Sequence, residues 1–213
     1  MPGMKLVVFG STGRTGRLVV ADALRRGHVV TAFARTPEAL GDLRGGCARV
    51  VRGDVVDRVA VAEAVAGQEA VVYAIGPSPD TVPPPFAEGA LRVIRAMQHY
   101  GVRRLVALSA SGLVTDEDQG RRSFLSRLLR PRARAVDEGE VRRMEVTVRQ
   151  SGLDWTLVRP SPLTDGPATG TCRAGPGHTL PDARPIARAD VAAYLLDQLA
   201  TDLNVRHAVA LSG

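Results

Sequence analysis

Lys5-Leu6-Val7-Val8-Phe9-Gly10-Ser11-Thr12-Gly13-Arg14-Thr15-Gly16 is the stretch whose reading decides the fold. The apolar run after Lys5 suits a strand buried on both faces, and the residues that follow carry the spacing Gly-x-x-Gly-x-x-Gly directly ahead of a helical pattern. In such a loop Gly10 permits the tight turn. Gly13 lets main-chain N–H groups approach a pyrophosphate, and Gly16 lets helix and strand pack closely, with the helix N-terminus facing the anion. Gly10, Ser11, Thr12, Gly13, Arg14, Thr15 and Gly16 are therefore candidate ligands of a dinucleotide.

The same pattern repeats outward from this loop. Apolar runs at 29–34, 48–51, 70–75 and 105–108 read as further buried strands, and the stretches 16–26, 59–65 and 88–100 read as helices closed by Gly27, Gly67 and Gly101. Strand and helix alternating in this way call for an α/β fold of the Rossmann type, a doubly wound parallel sheet with right-handed crossovers and helices on both faces. An Arg-rich insertion follows at 109–137, then a helix at 138–150, a sixth strand at 153–158, a long Pro- and Gly-rich loop at 159–185, a helix at 189–199 and a short strand at 208–211. We expect one domain over 1–213, with acceptor-site elements at 111–136 and 160–187, the latter a small C-terminal substrate-side region.

A dinucleotide-binding strand that prefers NAD ends in an Asp or Glu for the ribose 2′-hydroxyl. Here the second strand ends Phe33-Ala34-Arg35-Thr36, and Arg35 with Arg14 offers charge-assisted contacts to a 2′-phosphate. The expected cofactor is NADPH/NADP. Arg52-Gly53-Asp54-Val55 follows the third strand, where Asp54 and Val55 would lie beside the adenine, or Asp54 would cap the next helix. Gly76 ends the fourth strand where the cofactor would cross the sheet edge, and Pro160 leaves the sixth strand toward the nicotinamide.

Composition bounds the alternatives. The 213 residues are 45% hydrophobic and 23% charged, a balance that supports a packed domain and excludes disorder and disulfide scaffolds. No apolar run approaches the ~18–20 residues of a membrane span, so a cytoplasmic protein without a membrane partner is expected. Cys47 and Cys172 share no metal or redox spacing, and His28, His99, His178 and His207 form no ligand pattern. The net charge of +6 comes almost entirely from arginine, since Lys5 is the sole lysine, and an Arg cluster runs from Arg121 to Arg134. Aromatic residues total 4%, too few for base-stacking platforms, so no nucleic-acid partner is expected. The expected partner is a small-molecule acceptor, and the expected state a monomer or homodimer.

The phosphate loop, together with Gly27-His28-Val29-Val30-Thr31, Gly53-Asp54-Val55-Val56-Asp57, Ala66-Gly67-Gln68-Glu69-Ala70-Val71 and Ser151-Gly152-Leu153-Asp154-Trp155-Thr156-Leu157-Val158-Arg159-Pro160, resembles the atypical short-chain dehydrogenase/reductases. That family includes NmrA-like proteins and biliverdin reductase B, the flavin reductase. Asp165-Gly166-Pro167-Ala168-Thr169-Gly170 and Ile186-Ala187-Arg188-Ala189-Asp190-Val191 extend the likeness over nearly the whole chain. The resemblance implies an NADPH-dependent oxidoreductase, a redox sensor that does no chemistry, or a tailoring ketoreductase or dehydratase.

The Tyr-x-x-x-Lys pair of ordinary short-chain dehydrogenases is absent, because Lys5 precedes every tyrosine. Flavin and biliverdin reductases of this family work mainly by holding the nicotinamide against a conjugated acceptor, so the resemblance points to an acceptor such as a flavin, quinone or aromatic natural-product intermediate. Ser109 and Ser111 follow the fifth strand and are the candidate catalytic hydroxyls, with a local Ser turn as the alternative. Pro162 stands where biliverdin reductase B carries a histidine. Glu145 reads as part of a polar helix face beside Arg142, Arg143 and Arg149, and is expected in ion pairs there.

Overall fold

Residues 3–76, 86–109 and 138–213 are described by a computed structural model of the chain. β1 (Lys5–Phe9) leads through the glycine loop into α1 (Arg14–Arg25), β2 (Val29–Ala34), a kinked 3₁₀ stretch (Pro37–Gly46) and β3 (Arg49–Arg52). α2 (Arg58–Val65), β4 (Ala70–Tyr73), α3 (Phe86–Tyr100) and β5 (Arg104–Leu108) continue the alternation. Beyond the Arg-rich segment come α4 (Glu138–Arg149), β6 (Asp154–Pro160), β7 (Leu163–Thr164), β8 (Arg173–Pro176), β9 (Ile186–Ala187), α5 (Arg188–Asp197) and β10 (His207–Ser212).

The main sheet runs β3-β2-β1-β4-β5-β6-β10-β8, parallel except for β8, which pairs antiparallel with β10 at the edge. β1 lies between β2 and β4, so the strand order reverses there and opens a crevice at the carboxyl ends of β1 and β4. Alternate side chains of each central strand face opposite layers. Val7 and Phe9 join the core under α2, α3 and α4, whereas Leu6 and Val8 join the core under α1 and α5. Both layers bury aliphatic side chains almost completely, which is why these strands read as continuous apolar runs.

The long connection expected at 159–185 is not one loop. It contributes β7 to a two-stranded ribbon with β9, and β8 to the edge of the main sheet. β8 hides in sequence because Arg173-Ala-Gly-Pro176 has neither alternation nor a β-branched residue and is largely exposed; its pairing with β10 supplies its strand character.

Candidate functional site

The crevice is built by main-chain packing that tolerates no side chain at two positions. Gly10 adopts φ +81°, and a Cβ there would lie 2.6 Å from the carbonyl oxygen of Ala74 at the end of β4. A Cβ on Gly16 would lie 2.0 Å from the Gly10 carbonyl oxygen, so glycine lets α1 start directly against the turn. The Gly13 N–H donates to the Gly10 carbonyl (2.9 Å), and the Arg17 N–H to the Gly13 carbonyl (2.9 Å).

Gly13 is the N-cap of α1, no side chain caps that end, and its first turn holds no acidic residue. The helix therefore presents N–H donors and the positive end of its dipole at the mouth of the crevice. A cofactor diphosphate suits this end of the helix, and these residues fit one. At Gly13 a Cβ would meet only the Gly10 carbonyl oxygen, at 3.2 Å, and at Gly76 nothing within 4 Å, so space remains where a ligand would pass.

Within the loop, Ser11 is buried and its hydroxyl donates to the Phe33 carbonyl (2.8 Å), tying the phosphate loop to the end of β2. Thr12 is half-buried, Thr15 is buried and Arg14 is exposed. Arg35 stands exposed two residues beyond Phe33. Arg52, at the end of β3, donates to the Arg35 carbonyl (3.4 Å) and pairs with Glu38 (2.5 Å). Asp54 accepts from the Val56 N–H (3.1 Å) in a local turn, and Asp57, not Asp54, caps α2 through the Val59 and Ala60 N–H groups. The Val55 side chain belongs to the core beside Gly89. Pro160 is buried at the end of β6, in register with Leu211.

Ser109 lies at the carboxyl end of β5, fully buried, with its N–H donating to the Val158 carbonyl (2.8 Å). Its hydroxyl donates to Glu145 Oε1 (2.6 Å). Glu145 is in turn gripped by Arg159, whose Nε donates to Oε1 (3.0 Å) and whose Nη2 donates to Oε2 (2.5 Å), while Nη1 donates to the Gly177 carbonyl (2.9 Å). This corrects the expectation of a polar helix face. Val141, Met144, Glu145 and Val148 form the buried stripe of α4, and Glu145 pairs with buried Arg159 at 2.5 Å as well as, at 4.0 Å, with Arg149 of its own helix, the ion pair the sequence leads one to expect. That i, i+3, i+4, i+7 spacing was present in the sequence and would have placed Glu145 inward. Ser111 and the Arg121–Arg134 cluster lie outside the described residues, as does the acceptor-site element expected at 111–136.

A second arrangement that sequence reading missed joins the two halves of the crevice. Arg14 of the phosphate loop pairs with Asp165 in the segment after β7, and Asp165 also accepts from Arg188 Nη1 (2.6 Å) at the start of α5. Burial, followed by the charge of Arg14, holds the Arg188 guanidinium below its usual range. Nearby, Asp190 accepts from the Thr169 N–H (2.9 Å), the Gly170 N–H (3.0 Å) and the Thr169 hydroxyl (2.9 Å). Burial raises its pKa, and these hydrogen bonds outweigh that effect and bring it below the usual carboxylate range.

Among the described residues, Tyr73 at the end of β4 is not placed as a general acid for this crevice. Tyr73 donates its hydroxyl to the Phe86 carbonyl (2.9 Å) inside the core, and burial, reinforced by the charges of Glu140 and Asp54, pushes the phenol far above its usual range. Among the described residues no cluster of metal-ligating side chains occurs, and no helix is long and apolar enough to cross a membrane. Cys47, half-buried, and Cys172, exposed, are free thiols.

Reversed strand order, a glycine turn and an uncapped helix end at the carboxyl edge of the sheet define a dinucleotide-binding domain of the Rossmann type. The chain belongs to the NAD(P)H-binding family, whose model matches residues 10–202. A curated relative, the (4-alkanoyl-5-oxo-2,5-dihydrofuran-3-yl)methyl phosphate reductase of Streptomyces griseus, is 32% identical over 98% of this chain and 67% of its own length. Among solved structures, a Bacillus halodurans protein assigned by name to the NAD-dependent epimerases/dehydratases superposes with a TM-score of 0.81 at 25% identity, covering 99% of this chain and 94% of that one. ChuY, an anaerobillin reductase from Escherichia coli O157:H7, shares the fold with a TM-score of 0.72 at 24% identity, covering 97% and 96%. The cofactor class is thus NAD(P)H, and the family is of the reductase type.

Proposed function

We propose that this protein is an NADPH-dependent reductase that delivers hydride to a planar conjugated acceptor. The observation that carries the reading is the uncapped, acid-free start of α1 behind the Gly10–Gly16 turn, tied through Ser11 and Phe33 to a β2 end that carries Arg35 and no carboxylate. Gly10, Ser11, Thr12, Gly13, Arg14, Thr15 and Gly16 form the diphosphate cradle, and Arg35 takes the 2′-phosphate. Asp54, the main chain of Val55 and Gly76 line the adenine side and the crossing of the sheet edge, and Pro160 borders the nicotinamide end.

When bound, the reduced nicotinamide supplies the hydride. The chain's own part is to orient and enclose. The carboxyl ends of β4, β5 and β6 form a floor, and Ser109 is fixed between β5 and β6. With Tyr73 locked in the core and the sole lysine at the opposite end of β1, no Tyr-Lys pair protonates a carbonyl oxygen. An acceptor whose added charge is delocalised needs no such pair and takes its proton from water. The Streptomyces griseus relative acts, by its name, on a dihydrofuranone bearing a phosphate, and this supports an acceptor that is both conjugated and anionic. Flavins, quinones and anionic aromatic intermediates are the classes to try.

The test is NADPH oxidation followed at 340 nm with FMN, FAD, menadione and a phosphorylated unsaturated lactone. Turnover with any one supports the reading. Tight NADPH binding without turnover of any acceptor would remove it and leave an NADP-responsive regulator.

A further inference from the structure

Glu38 is a carboxylate beside the end of β2 that the run Phe33-Ala34-Arg35-Thr36 does not disclose. It belongs to the 3₁₀ stretch, which is anchored by buried Pro37 and Leu40 and by Arg17 of α1, whose guanidinium donates to the Ala39 carbonyl. Between these anchors Glu38 pairs with Arg52 (2.5 Å), the last residue of β3. Arg52 stands in register with Ala34, and the Gly53 N–H donates to the Ala34 carbonyl (3.1 Å). The Arg52 guanidinium also donates to the Arg35 carbonyl (3.4 Å). One arginine thus touches both the main chain of Arg35 and a carboxylate three residues further on.

The two cofactors differ only at the ribose 2′ position, and a carboxylate there treats them oppositely: it accepts from a hydroxyl and repels a phosphate. Glu38 carries that charge. A hydrogen bond from its own main-chain N–H first, and then the charges of Arg52 and Arg44, hold its carboxyl below the usual range. Without a partner it would favour NADH. Paired with Arg52, its charge is offset and its side chain is drawn toward β3.

We infer that Arg52 is a positioning residue that sets the cofactor preference by masking Glu38, so that the end of β2 admits a 2′-phosphate although an acid stands beside it. This rests on the NADPH reading above and adds a second determinant to Arg35. Arg52 acts through Glu38 and not as a phosphate ligand, so the two residues should have effects of opposite sign.

Calorimetric titration of NADPH and NADH into the full chain reads the preference without any acceptor. Both side chains are more than half exposed, so the effects should be severalfold and should shrink at high salt. Arg52→Ala should tighten NADH about twofold to fivefold and weaken NADPH, a gain that mere damage to the fold would not produce. Glu38→Gln should leave NADH within about twofold and tighten NADPH about twofold to fivefold. Arg52→Lys keeps the charge and should stay within about twofold of wild type in both affinities. In a Glu38→Gln background, Arg52→Ala should change the NADPH to NADH ratio by less than about twofold.

An NADH affinity that does not rise in Arg52→Ala overturns the inference. So does a loss of NADPH affinity on Arg52→Ala that is as large in the Glu38→Gln background as in wild type, because Arg52 would then meet the phosphate itself. Either result leaves the NADPH reading in place if Arg35→Ala still abolishes the preference. A wild-type protein that binds NADPH no better than NADH is a different result, because it removes that reading and this inference together.

Discussion

The Ser11 hydroxyl donates to the Phe33 carbonyl across a buried 2.8 Å, and so the Gly10–Gly16 turn is tied directly to the end of β2, which Arg35 follows. Loss of this bond leaves a buried carbonyl without its donor. Ser11→Ala should therefore lower stability by about 1–3 kcal/mol and weaken NADPH binding severalfold. Thermal melting with and without NADPH checks both effects.

Glycines of the loop should separate folding from binding. Gly16→Ala forces a Cβ to 2.0 Å from the Gly10 carbonyl, and is expected to lower the melting temperature sharply and abolish NADPH binding. Gly13→Ala has an ordinary φ of −71° and a nearest approach of 3.2 Å, so its melting temperature should stay close to wild type while NADPH affinity falls tenfold or more, roughly the loss of one or two charge-assisted contacts. Circular dichroism melts paired with calorimetric titration distinguish the two.

Asp165 pairs with both Arg14 and Arg188, and if Arg14 takes a cofactor phosphate as proposed, Asp165 would compete with it. Removing its charge leaves two arginines beside the phosphate loop with no carboxylate between them. Asp165→Asn should tighten NADPH binding about twofold to fivefold and steepen its salt dependence, an effect limited by the exposure of the ion pair. Titrations at low and high ionic strength measure it.

Asp190 gives the fold an acid-sensitive joint. Its pKa is depressed in the folded state, so its contribution to stability is present above the unfolded carboxylate value, near 4, and is lost as pH falls through the folded value. Asp190→Asn should cost about 1–3 kcal/mol at pH 7, because an amide nitrogen would face donors at Thr169 or Gly170. The difference between variant and wild type should narrow below pH 4, which denaturant melts across that range would show.

The central strands and the phosphate loop were legible because each is local. An apolar run buried on both faces, or three glycines at fixed spacing, declares itself within ten residues. Glu145 reads as polar-face because Arg142, Arg143 and Arg149 surround it in sequence, although Val141, Met144 and Val148 mark the inward stripe that holds it. Its partner Arg159 belongs to another element, and nothing local in the sequence announces a bond between α4 and the end of β6. The Arg14–Asp165–Arg188 link was illegible for the same reason, since it closes only after the chain has crossed the sheet. The sequence offers Asp54 either beside the adenine or as the cap of the next helix; the cap is Asp57, whose carboxylate reaches the second and third N–H groups of α2.

On the proposed reading, Arg35 replaces the usual acid at the adenosine ribose. Calorimetric titration of NADPH and NADH into wild-type protein and Arg35→Ala tests it most directly. We expect the wild type to bind NADPH at least tenfold more tightly than NADH, and Arg35→Ala to lose most of that preference while still binding NADH, in keeping with loss of a charge-assisted phosphate contact. Equal affinities in the wild type, or a preference for NADPH that survives Arg35→Ala intact, would contradict it.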